Sequence, residues 1–487
     1  MKTCYLFPFA ASCAGRAGLN SLLLLAGLGG VMIALTAGTN RSVAPAAAPP
    51  VSQKQGGLEW EAILKALPSG NAGTNQGAAL LAARDVVRGQ PVQAMPWVKL
   101  GDVIAQCQRE TNDATWYLHA QKTYEMALKL KPELADAMAG MAWVHGGRHE
   151  FDLSVLWAEK ALALDPQHAT SHGIIGDAAV ELGEYDKAFE HYQKMMDLRP
   201  DLSSWSRGAH LLWLTGDLTK AVLLMEQAIR SGGPFAENTS WCQARLAMMH
   251  FNNGALLPAS QALAPALASG TKNVHVLLAA GRIAAACGEY AESERHYQRV
   301  LEAGPVLEAL SALGDLAAVQ HQPEEAERFY AKVEALHLQH RQTGVHDHME
   351  MARFYADHDR KPEEALRLAR EHGDARNTFE LDGMAWVFFQ NGNQTQAIDY
   401  IKRALKTSTP DPAIHYHAGC IAAAAGDRAS AMLHLQKALD MNPGFSPLHS
   451  SKARGLLDEL GSKAPVPVAS PTLDTKALGG SGLKQLR

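Results

Sequence analysis

The sequence predicts an all-α protein, a right-handed α-solenoid of about ten helix-turn-helix repeats. Three observations predict it. Ala and Leu are abundant, β-branched residues are few and aromatic residues make up 7% of the chain, which favours helix over sheet. Prolines close similar segments at Pro132 (ALKLKP), Pro166 (ALALDP), Pro200 (MMDLRP) and Pro234, each 34 residues after the last, and Pro305 and Pro443 end further such segments. A fixed period of this length marks one supersecondary unit copied along the chain. Glycine recurs in step between the expected helices, in LGEYDK, TGDLTK, CGEYAE, NGNQTQ and AGDRAS, where a left-handed helix end favours it.

The first fifty residues stand outside this pattern. Lys2 and Arg16 precede GLNSLLLLAGLGGVMIALTAG, from Gly18 to Gly38, and VAPAAAPP follows. Residues 1–50 therefore read as a signal peptide or N-terminal membrane anchor with a Pro/Ala-rich linker. The apolar run is near the roughly 20 residues that span a bilayer, while small residues spaced for cleavage at Thr36-Ala37-Gly38 and Ala44-Pro45-Ala46 fit an export signal. Both outcomes stay open, so the expected location is exported or membrane-anchored. Residues 51–100 carry two short helical patterns, LEWEAILKALPSG and GAALLAARDVVRGQP, around the turn-like SGNAGTNQG. The array occupies residues 101–445, with units beginning near Gly101, Ala135, Ala169, Leu202, Ser240, Val274, Leu307, Val345, Thr378 and Pro412. The unit after Ser240 is the weakest, because Pro258 and Pro265 fall in its second helix. Residues 446–461, SPLHSSKARGLLDELG, suit a helix that caps the stack. The tail, 462–487, is rich in Pro, Gly and Ser and predicts disorder.

Inside the units, a small residue on the first helix is followed twelve positions later by Ala or Ser on the second: Gly176 and Ala188, Gly281 and Ser293, Gly314 and Ala326, Ala385 and Ala397, Gly419 and Ala431. Small residues let paired helices approach. Tyr124, Tyr192, Tyr297 and Tyr330 come one turn after the small residue of the second helix, on the same face, and read as core. With these positions in view, ALALDPQHATSHGIIGDAAVELGEYDKAFEHYQKMMDLRP resembles tetratricopeptide repeats. TFELDGMAWVFFQNGNQTQAIDYIKRALKTSTPDPAIHYHAGCIAAAAGDRASAMLHLQKALDMNPGF is similar to the last repeats of a group of exported bacterial tetratricopeptide-repeat proteins, a likeness that implies no chemistry.

Composition narrows the function. A net charge of -5, from 45 basic and 50 acidic residues, offers no polybasic surface and no argument for a nucleic-acid partner. Cys4 and Cys13 lie in the leader, and Cys107, Cys242, Cys287 and Cys420 are scattered without a C-x-x-C pair, so these four are expected as small buried side chains. Phosphate-binding, nucleophile-elbow and zinc-protease motifs are missing, no cofactor is implied, and the expectation is a non-enzyme. One cluster is ligand-like: HLQHRQTGVHDHMEMARFYADHD holds His337, His340, His346 and His348, weak candidates for a divalent metal in a stretch that interrupts the period.

The resemblance implies that the first helix of each unit lines a concave groove. The residue after the first small residue then faces it: Trp143, Asp177, His210, Met248, Arg282, Asp315, Arg353, Trp386 and Cys420, with Trp213, Phe251, Phe389 and Tyr416 one turn away. The family's chaperone-tail clamp uses Lys and Asn on these faces, whereas Ala139, Gly173 and Ser206 stand there, so that ligand is not expected. Rings mixed with charges of both signs suit a protein or peptide partner, with aromatic anchors and Arg282 or Arg353 pairing carboxylates. The alternative is a metal- or small-ligand-binding accessory protein that uses the His-rich stretch.

Overall fold

The computed structural model describes residues 53–69, 75–111, 113–233, 235–302, 304–342 and 347–462. The leader, the linker, Pro234, His346, the unit start at Val345 and nearly all of the tail lie outside the described residues. Among the described residues all regular structure is helical. Helices α1 (Gln53–Ala66) and α2 (Asn75–Gly89) precede ten antiparallel pairs. These are α3 (Ala94–Thr111) with α4 (Thr115–Leu130), α5 (Ala135–Gly147) with α6 (Phe151–Leu164), α7 (Ala169–Glu181) with α8 (Tyr185–Leu198), α9 (Leu202–Leu214) with α10 (Leu218–Ser231), and α11 (Ala236–Asn252) with α12 (Leu256–Ala268). Next come α13 (Val274–Ala286) with α14 (Tyr290–Leu301), α15 (Leu307–Val319) with α16 (Pro323–Gln342), and α17 (His348–Asp357) with α18 (Pro362–His372). The last pairs are α19 (Thr378–Gln390) with α20 (Gln394–Ala404) and α21 (Pro412–Ala424) with α22 (Arg428–Met441), and α23 (His449–Ser462) covers the end.

Several pairs are built around glycine and tyrosine. A Cβ added at Gly176 would stand 2.3 Å from Tyr192 Cε1, and the same holds at 2.4 Å for Gly281 with Tyr297 and 2.3 Å for Gly314 with Tyr330. The ring lies flat where a side chain is missing. Where the second small residue is serine, its hydroxyl also donates to the first helix: Ser154 Oγ to Ala142 O at 2.8 Å and Ser293 Oγ to Gly281 O at 2.7 Å. Helices α4, α6 and α8 end at Leu130, Leu164 and Leu198, two residues before the periodic prolines.

Some boundaries differ from the period. The helix that contains Gly101 starts earlier, at Ala94, which makes the first pair longer than its copies. The weak unit after Ser240 forms a full pair. Pro258 stands in the first turn of α12, where no intrahelical N–H is needed, and Pro265 stands in its last turn, so little of the hydrogen-bond ladder is lost. Of the four cysteines expected in the core, Cys107, Cys242 and Cys420 are buried, but Cys287 is exposed, because it sits at the end of α13 where the chain turns outward.

The pairs stack into a superhelix whose successive turns touch. Asn377 Nδ2 donates to Glu181 O at 3.3 Å, Thr409 Oγ1 to Leu214 O at 2.6 Å and Asn442 Nδ2 to Phe251 O at 2.7 Å. Each bond joins the loop before a late helix, α19, α21 or α23, to the first-helix end of a unit more than 190 residues earlier. The turn glycines make room: at Gly183, Gly216 and Gly254, all with positive φ, a Cβ would lie 2.5 Å from Arg376 O, 3.0 Å from Ser408 O and 2.5 Å from Met441 O. At the equivalent Gly288, Gly392 and Gly426 nothing lies within 4 Å. Glycine therefore serves a close backbone approach in three turns and only the left-handed turn itself in the others. A further tie runs from α3 to α11, where Arg109 grips Glu237 at 2.6 Å with both side chains nearly buried.

Candidate functional site

The inner face is made from the first helices of the units, and the winding hides much of it. Every residue of α7 from Ser171 to Val180 is buried. Asp102, Asp177 and Asp315, each just after a glycine, accept the hydroxyl of their own unit's tyrosine: Tyr124 to Asp102 at 3.1 Å, Tyr192 to Asp177 at 2.8 Å and Tyr330 to Asp315 at 3.0 Å. Asp177 is also clasped by Arg207, Nε to Oδ1 and Nη2 to Oδ2, both at 2.8 Å. Burial pushes the Asp177 carboxyl up, more than Arg207 and Tyr192 pull it down. Burial likewise lifts Asp102 to about 7 against the pull of Lys99 and Tyr124.

The rings are buried as well. Trp143 and Trp386 are 3% exposed, Trp213 is 5% and Tyr416 is 4%. Trp386 stacks on His417 with centroids 4.2 Å apart, and His417 Nδ1 bonds Asp382 at 2.8 Å. Tyr416 stacks on His449 at 4.9 Å. Trp213 lies between His210 at 5.8 Å and, from the other superhelical turn, Phe379 at 6.0 Å. His210 is buried, Arg245 Nη2 bonds its Nδ1 at 2.9 Å, and burial with that neighbouring charge holds the imidazole neutral.

Of the residues expected in the groove, Met248, Arg282, Asp315, Arg353 and Phe389 keep surface. The Arg282 side chain is 46% exposed and pairs with Glu308 at 2.6 Å; Arg353 lies 3.7 Å from buried Asp382. Trp143, Asp177, His210, Trp213, Trp386 and Tyr416 are placed beneath the surface, where they hold units together. Two openings among the described residues bear on this face. A cavity of about 160 Å³ lies between superhelical turns, lined by Tyr185, His210, Glu350, Arg353, Phe379 and Glu380 among others. A more open cleft of about 570 Å³ is bounded by His321, Glu327, Tyr330, His358 and Arg360. In that cleft Arg360 is occupied by Glu327 at 2.6 Å and Glu334 at 3.1 Å, and His358 by Asp315 at 2.7 Å.

Comparison with known proteins agrees with this geometry. A family model described as tetratricopeptide repeat matches residues 140–203, 278–337 and 383–444. The chain carries tetratricopeptide repeats. Among curated relatives, it is 31% identical over 127 residues to the formate-dependent nitrite reductase complex subunit NrfG of Escherichia coli O157:H7, covering 26% of this chain and 61% of that protein. It is 32% identical over 85 residues to the small glutamine-rich tetratricopeptide repeat-containing protein 2 of Saccharomyces cerevisiae, covering 18% of this chain and 25% of that one. The chain thus spans under two thirds of the length of either relative. Among solved structures, yeast Tom70 aligns over 80% of this chain and 96% of its own, at 14% identity and a TM-score of 0.36.

The His-rich stretch of this repeat protein is a clasp. His337 Nδ1 and His340 Nδ1 meet the two oxygens of Asp347, each at 2.7 Å, and Asp347 is fully buried. The contact ties the long α16 to the start of α17. His348 is half-buried at that start, and His346 lies outside the described residues. Among the described residues no group of three or more His, Cys, Asp or Glu is arranged to hold a metal ion. The period predicted the interruption but gave no sign that Asp347 would take both imidazoles.

Proposed function

We propose that this protein is a non-enzymatic scaffold that binds a protein or peptide partner on the inner face of its superhelix, and that it works exported or held at a membrane by its N-terminal segment. The cavity between superhelical turns carries the reading. Its walls offer Phe379 and Tyr185 as apolar surface and Arg353, Glu350 and Glu380 as charges of both signs, the mixture that grips a peptide with one buried anchor and polar neighbours. At about 160 Å³ it is smaller than the roughly 300–1,000 Å³ of pockets that enclose whole small molecules, so it takes one or two side chains of a partner. The leader, Lys2 to Gly38, supports export or anchoring, and a relative described as a subunit of an enzyme complex supports a role in assembly.

The test is site-specific photo-crosslinking. A benzophenone side chain placed at Glu350 or Glu380 in the full chain is expected to crosslink one partner in an envelope fraction, and Arg353→Ala to weaken its capture about tenfold. The same probe at Leu257, exposed on the outer helix α12, serves as the control. Equal crosslinking from Leu257 and Glu350, or capture unchanged by Arg353→Ala, overturns the inner-face reading.

A further inference from the structure

Two units carry the same pair of histidines. His172 on α7 faces His191 on α8, and His415 on α21 faces His434 on α22; in both pairs the Nδ1 atoms are 3.1 Å apart. The ring centroids are 5.1 Å and 5.3 Å apart. Within each unit the first histidine comes four residues before the glycine that receives the second helix, Gly176 or Gly419, and the second comes fifteen after it. Other units fill these two positions differently: Leu277 and His296, Leu310 and Phe329, Leu381 and Tyr400. A leucine against a ring is ordinary core packing. Two imidazoles whose ring nitrogens meet are a departure from it, made twice in the same place.

The protonation chemistry of the pair sharpens the point. His172 Nε2 lies 3.3 Å from Pro166 O, and a carbonyl only accepts, so the proton of neutral His172 sits on Nε2 and its Nδ1 presents a lone pair. The Nδ1 of His191 lies 3.1 Å from that nitrogen. One proton can sit between the two nitrogens, or one cation can replace it. A backbone carbonyl that fixes the far nitrogen is also what orients imidazole ligands in metal sites.

We propose that His172–His191 and His415–His434 are two equivalent two-imidazole sites for a divalent transition-metal ion of the copper, nickel and zinc class. Metal–nitrogen bonds of about 2.0–2.1 Å place two ligand nitrogens roughly 2.9 Å apart in a square-planar cis arrangement and roughly 3.3 Å apart in a tetrahedral one. Both pairs, at 3.1 Å, lie between these values without rearrangement of either helix. Neutral imidazole suits these ions, and burial keeps it neutral here. Burial, then His172 and Lys194, lowers His191 to about 4; burial, then Lys437 and His434, lowers His415 to about 3. Lys194 stands one turn beyond His191, but its ammonium is drawn away to Glu190 at 2.6 Å. His172 and His415 are buried while His191 and His434 are half-buried, so each pair opens to solvent on one side, where water completes the coordination. The residues are separate from the clasp at Asp347 and from the inner cavity, and the sites do not depend on partner binding.

The test uses the untagged full chain and copper(II) chloride alone, followed by calorimetry and electron paramagnetic resonance. Relative to the native chain, His191→Ala is expected to lose one bound equivalent, His434→Ala one, and the double variant two, with the lost signals showing two equatorial nitrogens per copper. Unchanged stoichiometry in the double variant overturns the proposal. A second measurement needs no variant: zinc chloride is expected to protect His191 and His434 of the native chain from diethyl pyrocarbonate at least fivefold, read by peptide mass spectrometry. Equal modification with and without zinc overturns it too.

Discussion

Asp177 follows Gly176 on a helix expected to face a ligand, and the structure gives it three hydrogen bonds inside the protein, one from Tyr192 and two from Arg207. Arg207 is 2% exposed, so removing Asp177 takes from a buried guanidinium the carboxylate that both its Nε and its Nη2 bond. Asp177→Ala is expected to destabilise the array by about 3–5 kcal/mol. Thermal unfolding would show this, and pairing it with Arg207→Met should restore much of the loss; a double variant as unstable as the single one would contradict the account. Gly176 supports the same unit from the other side of Tyr192. Gly176→Ala puts a methyl into the ring's position and is expected to cost about 1–3 kcal/mol, whereas Gly455→Ala, on α23 with open space around it, should not destabilise. The tyrosine and glycine of this device are legible in the sequence as core. The aspartate is not, because a residue one step along the helix from a packed glycine reads as a groove position until the neighbouring unit's Arg207 is seen above it.

At the scale of elements, α16 is the helix that departs from its copies, with 20 residues where α8 and α10 have 14. Its extra turn carries His337 and His340 to Asp347. Burial opposes ionisation of Asp347, but hydrogen bonds from the two imidazoles outweigh it and hold the carboxyl well below the usual range. A folded-state pKa below the unfolded value of about 3.9 gives stability that is present above about pH 4 and is lost as the pH falls through the folded value. Asp347→Asn is therefore expected to lower thermal stability at pH 7, and the Asp347 contribution to the gap from the native chain to narrow only below about pH 4. A gap that closed between pH 8 and 6 would assign the effect elsewhere. The helices themselves were readable because Pro, Gly and small residues repeat in register, even through Pro258 and Pro265 in α12. The clasp was not: a histidine-rich interruption does not say whether its ring nitrogens converge on a metal or on a carboxylate, since that depends on how α16 and α17 meet.

The whole molecule is governed by contacts the period cannot express. Asn377 caps α19 through its side-chain oxygen while its nitrogen reaches Glu181, so the one residue that reads as a local cap also closes the superhelix. Thr409 and Asn442 look like turn residues for the same reason. Their partners are 195 and 191 residues away, which no local pattern records. Turn glycines allow this seam to be tested apart from local strain. Gly183 and Gly426 both have positive φ, so alanine at either costs about 1–2 kcal/mol of backbone strain. Only Gly183→Ala also drives a methyl into a carbonyl oxygen of the adjoining superhelical turn, at 2.5 Å. Both variants should therefore lose similar thermal stability locally, but in small-angle scattering Gly183→Ala alone is expected to lengthen the particle, and in hydrogen exchange it alone should expose the Thr378 amide, which now donates to Tyr185 at 3.1 Å. Equal dimensions for the two variants would mean that the turns touch without holding one another. A longer Gly183→Ala particle would mean that the width of the inner cavity, and with it access for a partner, is set by the contacts of this seam, whose hydrogen bonds are worth about 0.5–1.5 kcal/mol each.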